Sequence, residues 1–312
     1  MTLAAPVRTW AHRHMLDVDI LSRPDIERIL ELSEAMRMSR ETREHRSLLD
    51  LETVALCFYE PSTRTRVSFE LAAKALGATV VDLAVERSSA GKGESLVDTL
   101  RTLRRVGATI AVLRHPSSGA PYLAARETDL SIVNGGDGTH AHPTQALLDA
   151  ATLREALGTL SGKTIAIVGD VAHSRVARSN AHLLPKLGAR VRVGGPAAWV
   201  AGFDDWPDVE VATTLADALD GADAVMALRV QSERGAVSGA GTLAEYIRDW
   251  RLDDERMELA APGAPVLHPG PTNEGVELTH DLANGLRSLI GRQVEHGVAV
   301  RMAVLALVAG VA

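Results

Sequence analysis

One cysteine stands among 312 residues, Cys57, so an internal disulfide and any cysteine-rich metal motif are both excluded. It falls inside an apolar run, where a lone cysteine serves as a small buried hydrophobe. Aromatic residues make up only 3% of the chain, too few for the stacking platforms that hold single-stranded nucleic acid. Positive charge is scarce as well. Thirty-three Lys and Arg stand against 40 Asp and Glu, a formal net charge of −7, which argues against nucleic acid as the main partner. No apolar run is long enough to cross a bilayer. The most apolar segment, Val298 to Val308, is short, holds Arg301, and reads as a terminal helix buried against the protein. Met1 to His14 holds no long apolar stretch, so no signal peptide is evident. What remains is a cytoplasmic globular chain with no membrane contact. With 46% hydrophobic residues over 312 positions, it is long enough for two domains.

What is present is a repeated alternation. Strand-type runs fall at 53–59, 79–83, 110–113 and 131–133, with helical stretches between the first three. A long helix rich in Ala and Leu is predicted over Pro143 to Leu157, closed by Gly158 and the Ser161-Gly162-Lys163 turn. The alternation then restarts, with strand runs at 164–168, 190–193, 224–228 and 265–267. Such alternation argues for parallel sheets with helices on both faces. The fold class is therefore α/β: two doubly wound domains, each with a central parallel sheet flanked by helices, joined by interdomain helices. The expected bounds are 1–150 and 151–291, with a C-terminal helix over 292–312 packing back on the first domain. Ahead of the first strand, Ser22-Arg23-Pro24-Asp25 has the cap, early proline and acid of a helix start. Ile26, Ile29, Leu30 and Leu32 then form an apolar stripe.

The most informative stretch is Glu60-Pro61-Ser62-Thr63-Arg64-Thr65-Arg66. It lies between the strand run ending at Tyr59 and a helical run in which Val67, Leu71 and Ala75 share a face. Ser62 to Thr65 should therefore sit at a helix N-terminus, beyond the end of a parallel strand. Free backbone N–H groups and the positive end of the helix dipole suit an anion there. The hydroxyls and an arginine fork add donors for a phosphate. A plain N-cap would need only Ser62. Arg66 is read as structural, and Glu60 is expected to pair with an arginine, Arg114 first.

Other polar groups follow the other predicted strands. They are Arg114 and His115; Asn134 to Asp137, with His142-Pro143-Thr144-Gln145 beyond; Asp170 to Arg175; Arg229-Val230-Gln231; and His268-Pro269-Gly270-Pro271. Ligands of open α/β sheets bind at such strand ends. A single arginine in that position is usually a solvated loop residue. Five such sites in two domains, aimed at one cleft, are another matter. Arg64, Arg114, Arg175, Arg229 and Lys92 would gather cations in an acidic chain, which is tolerable only where anions neutralise them. A phosphate suits the first domain, and Arg175 and Arg229 suit carboxylates held in bidentate forks. Asp137 and Asp170 lie at different strand ends without ligand spacing, so no metal is expected. VGDVAHSR lacks the second and third glycines of a dinucleotide fingerprint, so no nicotinamide cofactor is expected either.

Together these residues resemble the carbamoyltransferases, and within that family the aspartate-specific branch. The matching stretches run along nearly the whole chain: FYEPSTRTRVSFELAAKALGA at 58–78, SSAGKGES at 88–95, LRHPSSGA at 113–120, HPTQALLD at 142–149, VGDVAHSRVARSN at 168–180, LRVQSERG at 228–235 and HPGPTNEGVEL at 268–278. The STRTR pattern is common to the family, while HPTQALLD, RVQxER and HPGPxNxG resemble the aspartate-specific members. The resemblance implies that Ser62, Thr63, Arg64 and Thr65 hold the phosphate of carbamoyl phosphate. It implies that Thr65, Arg114 and His142 bind the carbonyl oxygen, and that Gln145 meets the carbamoyl nitrogen with backbone carbonyls near Gly270 and Pro271. Arg175, Arg229 and Gln231 are implied to bind the two carboxylates of L-aspartate. Lys92, with Ser88 or Ser89, is implied to reach a neighbouring subunit's site, which makes the assembly at least a homotrimer with shared active sites. The resemblance further implies that carbamoyl phosphate binds first and that domain closure completes the site, with no covalent intermediate or cofactor expected.

Two rivals stand beside this reading. One is a carbamoyltransferase for another amine; ornithine would want an acidic group for its distal cation, and the family's cysteine-bearing HCLP-type motif is absent near His268. The other is a catalytically silent structural or regulatory homologue, which should have lost some of the residues above. Glu274 departs from the arginine common at its place in the HPGPxN motif, which puts a local ion pair in doubt. Whether a regulatory subunit or a dihydroorotase joins the chain is left open.

Overall fold

The computed structural model describes residues 10–38, 47–83, 93–230 and 242–312. The first half carries α1 (Arg23–Met38), β1 (Thr53–Phe58), α2 (Thr63–Ala75), β2 (Thr79–Leu83), α3 (Leu96–Arg105), β3 (Ile110–His115), α4 (Ala120–Glu127), β4 (Ser131–Asp137) and α5 (Pro143–Leu157). The second carries β5 (Thr164–Val168), α6 (Arg175–Lys186), β6 (Arg190–Gly194), α7 (Ala197–Val200), β7 (Val209–Ala212), α8 (Leu215–Leu219), β8 (Ala224–Ala227), α9 (Leu243–Trp250), β9 (Val266–Leu267), α10 (His280–Asn284) and α11 (Ile290–Val308). No helix of the described residues is long and apolar enough to cross a membrane.

There are two sheets, ordered β2-β1-β3-β4 and β7-β6-β5-β8-β9, and every pairing is parallel. The α/β class with two helix-flanked parallel sheets is the one expected. Parallel strands covered on both faces should be continuously apolar, and β5, Thr-Ile-Ala-Ile-Val, is buried at every position. Each sheet reverses its winding once. The first does so between β1 and β3, the second between β5 and β8. A crevice opens at each reversal, beyond the carboxyl ends of the strands, and that is where such folds bind ligands.

Several local expectations change. β4 runs on to Asp137, so Asn134 to Asp137 belong to the strand and not to a loop. The Gly135-Gly136 pair disguises it, and the register with β3 shifts between Leu113 and His115. β7, only four residues at the edge of its sheet, carried too little pattern to be predicted. On α2, Val67 and Leu71 do share a face, but it is exposed. The core face is Phe69, Ala72 and Ala73. α11 begins at Ile290 and ends at Val308, where 292–312 was expected.

α11 packs against α1, α2 and α5. It is buried almost without interruption from His296 to Val308, as a helix covered on all sides must be apolar all round. α5 is likewise buried from Pro143 to Leu153 and packs on α6 of the second half. Lys186, at the end of α6, donates to the carbonyls of Val18, Asp19 and Leu21 at 2.6–2.8 Å, tying the halves together a second time.

Candidate active site

The two winding reversals face one cleft of about 990 Å³. From the first half it is lined by Glu60 to Thr65, Arg114, His142 and Gln145; from the second by Ser174, Arg175, Arg229 and His268 to Pro271. Eleven of the proposed site residues are thus brought together: Ser62, Thr63, Arg64, Thr65, Arg114, His142, Gln145, Arg175, Arg229, Gly270 and Pro271. Lys92, Ser88, Ser89 and Gln231 lie outside the described residues.

β1 feeds directly into this cleft. Tyr59 N–H donates to Arg114 O at 2.9 Å, so the ends of β1 and β3 stay paired past the sheet. Ser62 is the N-cap residue of α2, with extended backbone (φ −163°, ψ 96°) and no side-chain cap bond. The first N–H groups of α2 therefore open on the cleft, as a phosphate site at a helix N-terminus requires. Thr65 is buried, while Thr63 and Arg64 are exposed. Arg66 points elsewhere and donates to Asp82 on β2, which makes it structural as expected.

Glu60 does more than pair with Arg114. Its Oε2 lies 3.3 Å from Arg114 Nη2 and accepts from Arg175 Nη2 at 2.7 Å. Arg114 Nη1 also donates to Gly135 O, and Arg175 Nη1 to Gly138 O, each at 3.1 Å. Arg175, the first residue of α6, thus reaches across to the first sheet. Two guanidinium groups share one carboxylate at the domain junction. Gly136 lies between them at φ +114°; a Cβ there would stand 2.8 Å from Arg114 Nη1 and 3.3 Å from Arg175 Nε. Only glycine fits.

His142 ends the stretch after β4 and caps α5. It is buried, its N–H donates to Ser179 Oγ at 2.9 Å, and its Nδ1 has no hydrogen-bond partner. Burial, with Arg114, Arg175 and Arg301 nearby, holds the imidazole well below its usual pKa. It is neutral at physiological pH, so it offers one N–H donor without adding another cation. Gln145 Nε2 donates to Asp149 Oδ1 at 2.9 Å.

In the loop after β9, Gly270 takes φ +66°, and a Cβ there would meet the Arg64 guanidinium at 3.0 Å. The Gly270–Pro271 peptide is cis. Behind the loop, the buried His268 Nε2 faces Glu277 Oε1 at 3.2 Å. Glu274, where the family pattern favours arginine, makes its ion pair with His280 Nδ1 at 2.6 Å.

Sequence reasoning missed three residues at this site. Arg301 lines the cleft from α11, fully buried, with its guanidinium 5.1 Å from the centre of the Phe69 ring. Burial lowers its pKa to about 10, opposed by the charge of Asp149, so it stays protonated. Asp149 and Gln293 are buried at the crossing of α5 and α11. Arg301 had been read only as an obstacle to a membrane span. The i, i+4 spacing of Gln145 and Asp149 was the one available signal for Asp149, and Gln293 on α11 had none.

Chemically, the cleft joins a helix N-terminus and Arg64, suited to a phosphate, with neutral and cationic donors suited to a polarised carbonyl. The guanidinium groups of Arg175 and Arg229 face them from the second half. Residues 13–155 match the carbamoyl-P binding domain of the aspartate/ornithine carbamoyltransferases, and residues 161–308 match their Asp/Orn binding domain. The chain is 51% identical over 297 residues to the aspartate carbamoyltransferase catalytic subunit of Methylorubrum populi, covering 95% of this chain and 94% of that one. Its fold superposes, at a TM-score of 0.84 and 31% identity, on Trypanosoma cruzi aspartate transcarbamoylase in complex with N-(phosphonacetyl)-L-aspartic acid, covering 95% and 96% of the two chains. It superposes similarly on the ornithine carbamoyltransferase of Pyrococcus furiosus, with a TM-score of 0.86, 28% identity and coverage of 96% and 98%.

Proposed function

The chain belongs to the aspartate/ornithine carbamoyltransferase family, and on that premise we propose that it transfers the carbamoyl group of carbamoyl phosphate to the amine of L-aspartate. The products are N-carbamoyl-L-aspartate and phosphate, an early step toward pyrimidines. The observation that carries this reading is the single cleft between the two sheets, with a helix N-terminus and Arg64 on one side and Arg175 and Arg229 on the other.

The phosphate sits on Ser62 to Thr65, where backbone N–H groups and Arg64 meet its charge. The carbonyl oxygen lies among Thr65, Arg114 and His142. The uncharged amine of aspartate attacks the carbonyl carbon, and negative charge grows on that oxygen. Arg114 and the N–H of a neutral His142 stabilise it as a prearranged oxyanion site. The carbon–oxygen bond to phosphate then breaks, phosphate leaves with the electron pair, and it accepts the proton lost by the amine. No side-chain nucleophile takes part. Holding both reactants in register supplies the rest of the rate.

Aspartate offers two carboxylates to Arg175, Arg229 and Gln231, and closure of the halves follows the phosphate compound. Arg175, which already bridges to Glu60, is the natural contact through which one half senses the other. The likeness of segment 88–95 to the family's shared-site loop supports an assembly of at least three chains, acting in the cytoplasm.

L-ornithine is the rival acceptor, because an ornithine carbamoyltransferase has the same fold. Its distal ammonium would meet Arg175 and Arg229, a repulsive pairing. A ureido assay with carbamoyl phosphate and either amino acid separates the two. Product with aspartate alone is expected, and product with ornithine alone would overturn the acceptor assignment.

A further inference from the structure

Behind the cleft runs a chain of buried hydrogen bonds that neither the phosphate nor the carboxylates of the reaction need. Asp149 is fully buried. Its Oδ1 accepts from Gln145 Nε2 at 2.9 Å and from Gln293 Nε2 at 2.7 Å, and its Oδ2 accepts from Asn180 Nδ2 at 2.9 Å. Gln293 Oε1 in turn accepts from His268 N–H at 2.9 Å. His268 Nδ1 accepts from Gly270 N–H at 2.8 Å. One carboxylate and three carboxamides thus connect α5, α6, α11 and the loop after β9.

The chemistry of these groups fixes their direction. An ionised carboxylate only accepts. Burial raises the pKa of Asp149 to about 6, so it is ionised at neutral pH. Both glutamines must therefore turn their NH₂ groups toward it. Gln145, which lines the cleft, turns one N–H to Asp149 and keeps its carbonyl oxygen for a ligand. The same holds for His268-Pro269-Gly270-Pro271. Pro269 and Pro271 have no N–H, and those of His268 and Gly270 are already engaged with Gln293 and His268. In this four-residue stretch only backbone carbonyls remain to meet a ligand. The corner formed by Gln145 and Gly270–Pro271 thus presents carbonyl oxygens of its own, inside a cleft otherwise crowded with donors.

We propose that Asp149 and Gln293 are positioning residues that hold the carbonyl oxygens of this corner toward the ligand, and that they thereby select a carbamoyl NH₂ over an acyl group of the same shape. The proposal rests on the carbamoyl-transfer reading above. The discriminating analogue is acetyl phosphate, in which a methyl group replaces the amino group and the rest of the donor is the same. A site built to hydrogen-bond an NH₂ rejects an analogue that lacks it, because its buried acceptors are left unpaired.

The test measures phosphate release with L-aspartate and either carbamoyl or acetyl phosphate, in the wild type, Gln293→Met and Asp149→Asn. Wild type is expected to favour carbamoyl phosphate in kcat/KM by roughly a thousandfold or more. Each variant should shrink that preference by about tenfold or more, the worth of one good hydrogen bond, with the loss falling on carbamoyl phosphate. Affinity for inorganic phosphate, read by calorimetry for Gln293→Met, should stay within about threefold of wild type, because no hydrogen bond among the described residues joins Ser62 to Thr65 to Gln293. A merely structural role would slow both donors equally, and an unchanged ratio overturns the proposal. A wild-type preference below about tenfold overturns it as well, and needs no variant to fold. Wild type that releases phosphate from neither donor removes the carbamoyl-transfer reading and this proposal with it; turnover with an unaltered ratio removes this one alone.

Discussion

Glu60→Gln is the most direct probe of the cleft's electrostatics. The substitution keeps the shape and one carbonyl acceptor but removes the charge that faces Arg175 at 2.7 Å and Arg114 at 3.3 Å. The three side chains are only 18%, 10% and 11% exposed, so water makes up little of the loss. Removing one partner from a buried ion pair costs about 3–5 kcal/mol; with residual exposure and a retained hydrogen bond, about 2–3 kcal/mol is expected here. For a chain of this size that corresponds to a fall of roughly 5 °C in melting temperature. Arg175 also loses its tether across the halves, so kcat/KM for aspartate should fall by roughly a hundredfold, about the worth of 2.7 kcal/mol. Affinity for carbamoyl phosphate should change less. Two cations without their carboxylate should welcome an anion, so saturating phosphate should raise the melting temperature of the variant more than that of wild type. Thermal unfolding with and without phosphate, beside steady-state ureido formation, reads all of this. A melting temperature within 1 °C of wild type, together with turnover within about twofold, would refute the account of Glu60 as the shared counter-charge.

Gly136→Ala would force a Cβ to within 2.8 Å of Arg114 Nη1 at φ +114°; a stability loss of about 1–3 kcal/mol and at least a tenfold drop in turnover are expected, checked by urea unfolding and the same assay. Arg301→Met removes a buried cation whose Nε has no hydrogen-bond partner; stability should hold or rise by about 1 kcal/mol while carbamoyl phosphate binds more weakly by calorimetry, and a large destabilisation would contradict this. His142 stays neutral when folded, whereas in the unfolded chain it takes up a proton as pH falls through 6.5. This group therefore withdraws stability below pH 6.5 and contributes no such loss above it. His142→Asn should flatten that part of the stability–pH curve, and an unaltered slope between pH 7.5 and 5.5 would count against a neutral imidazole.

How much of this was legible in the sequence depended on how local the signal was. Strand, cap and helix follow one another from Thr53 to Ala75, so a helix N-terminus at the strand end, open to the cleft, could be read from spacing alone. Arg114, Arg175 and Arg229 were found because strand ends are readable and ligands gather there. Val67 and Leu71 share a face of α2 as read, and only tertiary packing decides that this face lines the cleft while Phe69, Ala72 and Ala73 enter the core. Asp149, Gln293 and Asn180 look like ordinary polar residues on three separate helices. Their convergence arises from the crossing of α5, α6 and α11, and no periodicity records a crossing. Likewise Glu60 was paired in advance with one arginine; its second partner comes from the other half of the chain.

The seat of α11 has a consequence for how the protein is made. Both sheets, and every other helix among the described residues, precede it on the ribosome. The second half, from β5 to α10, is one continuous stretch and can condense as soon as it has emerged. The first half cannot, although it is synthesised earlier. Its α1, α2 and α5 present apolar faces whose cover, α11, is translated after both sheets. The order of completion is therefore the reverse of the order of synthesis, and the older half waits with a greasy seam open to chaperones. Gln293 arrives on that same helix, so the cleft is finished only after both sheets have been translated.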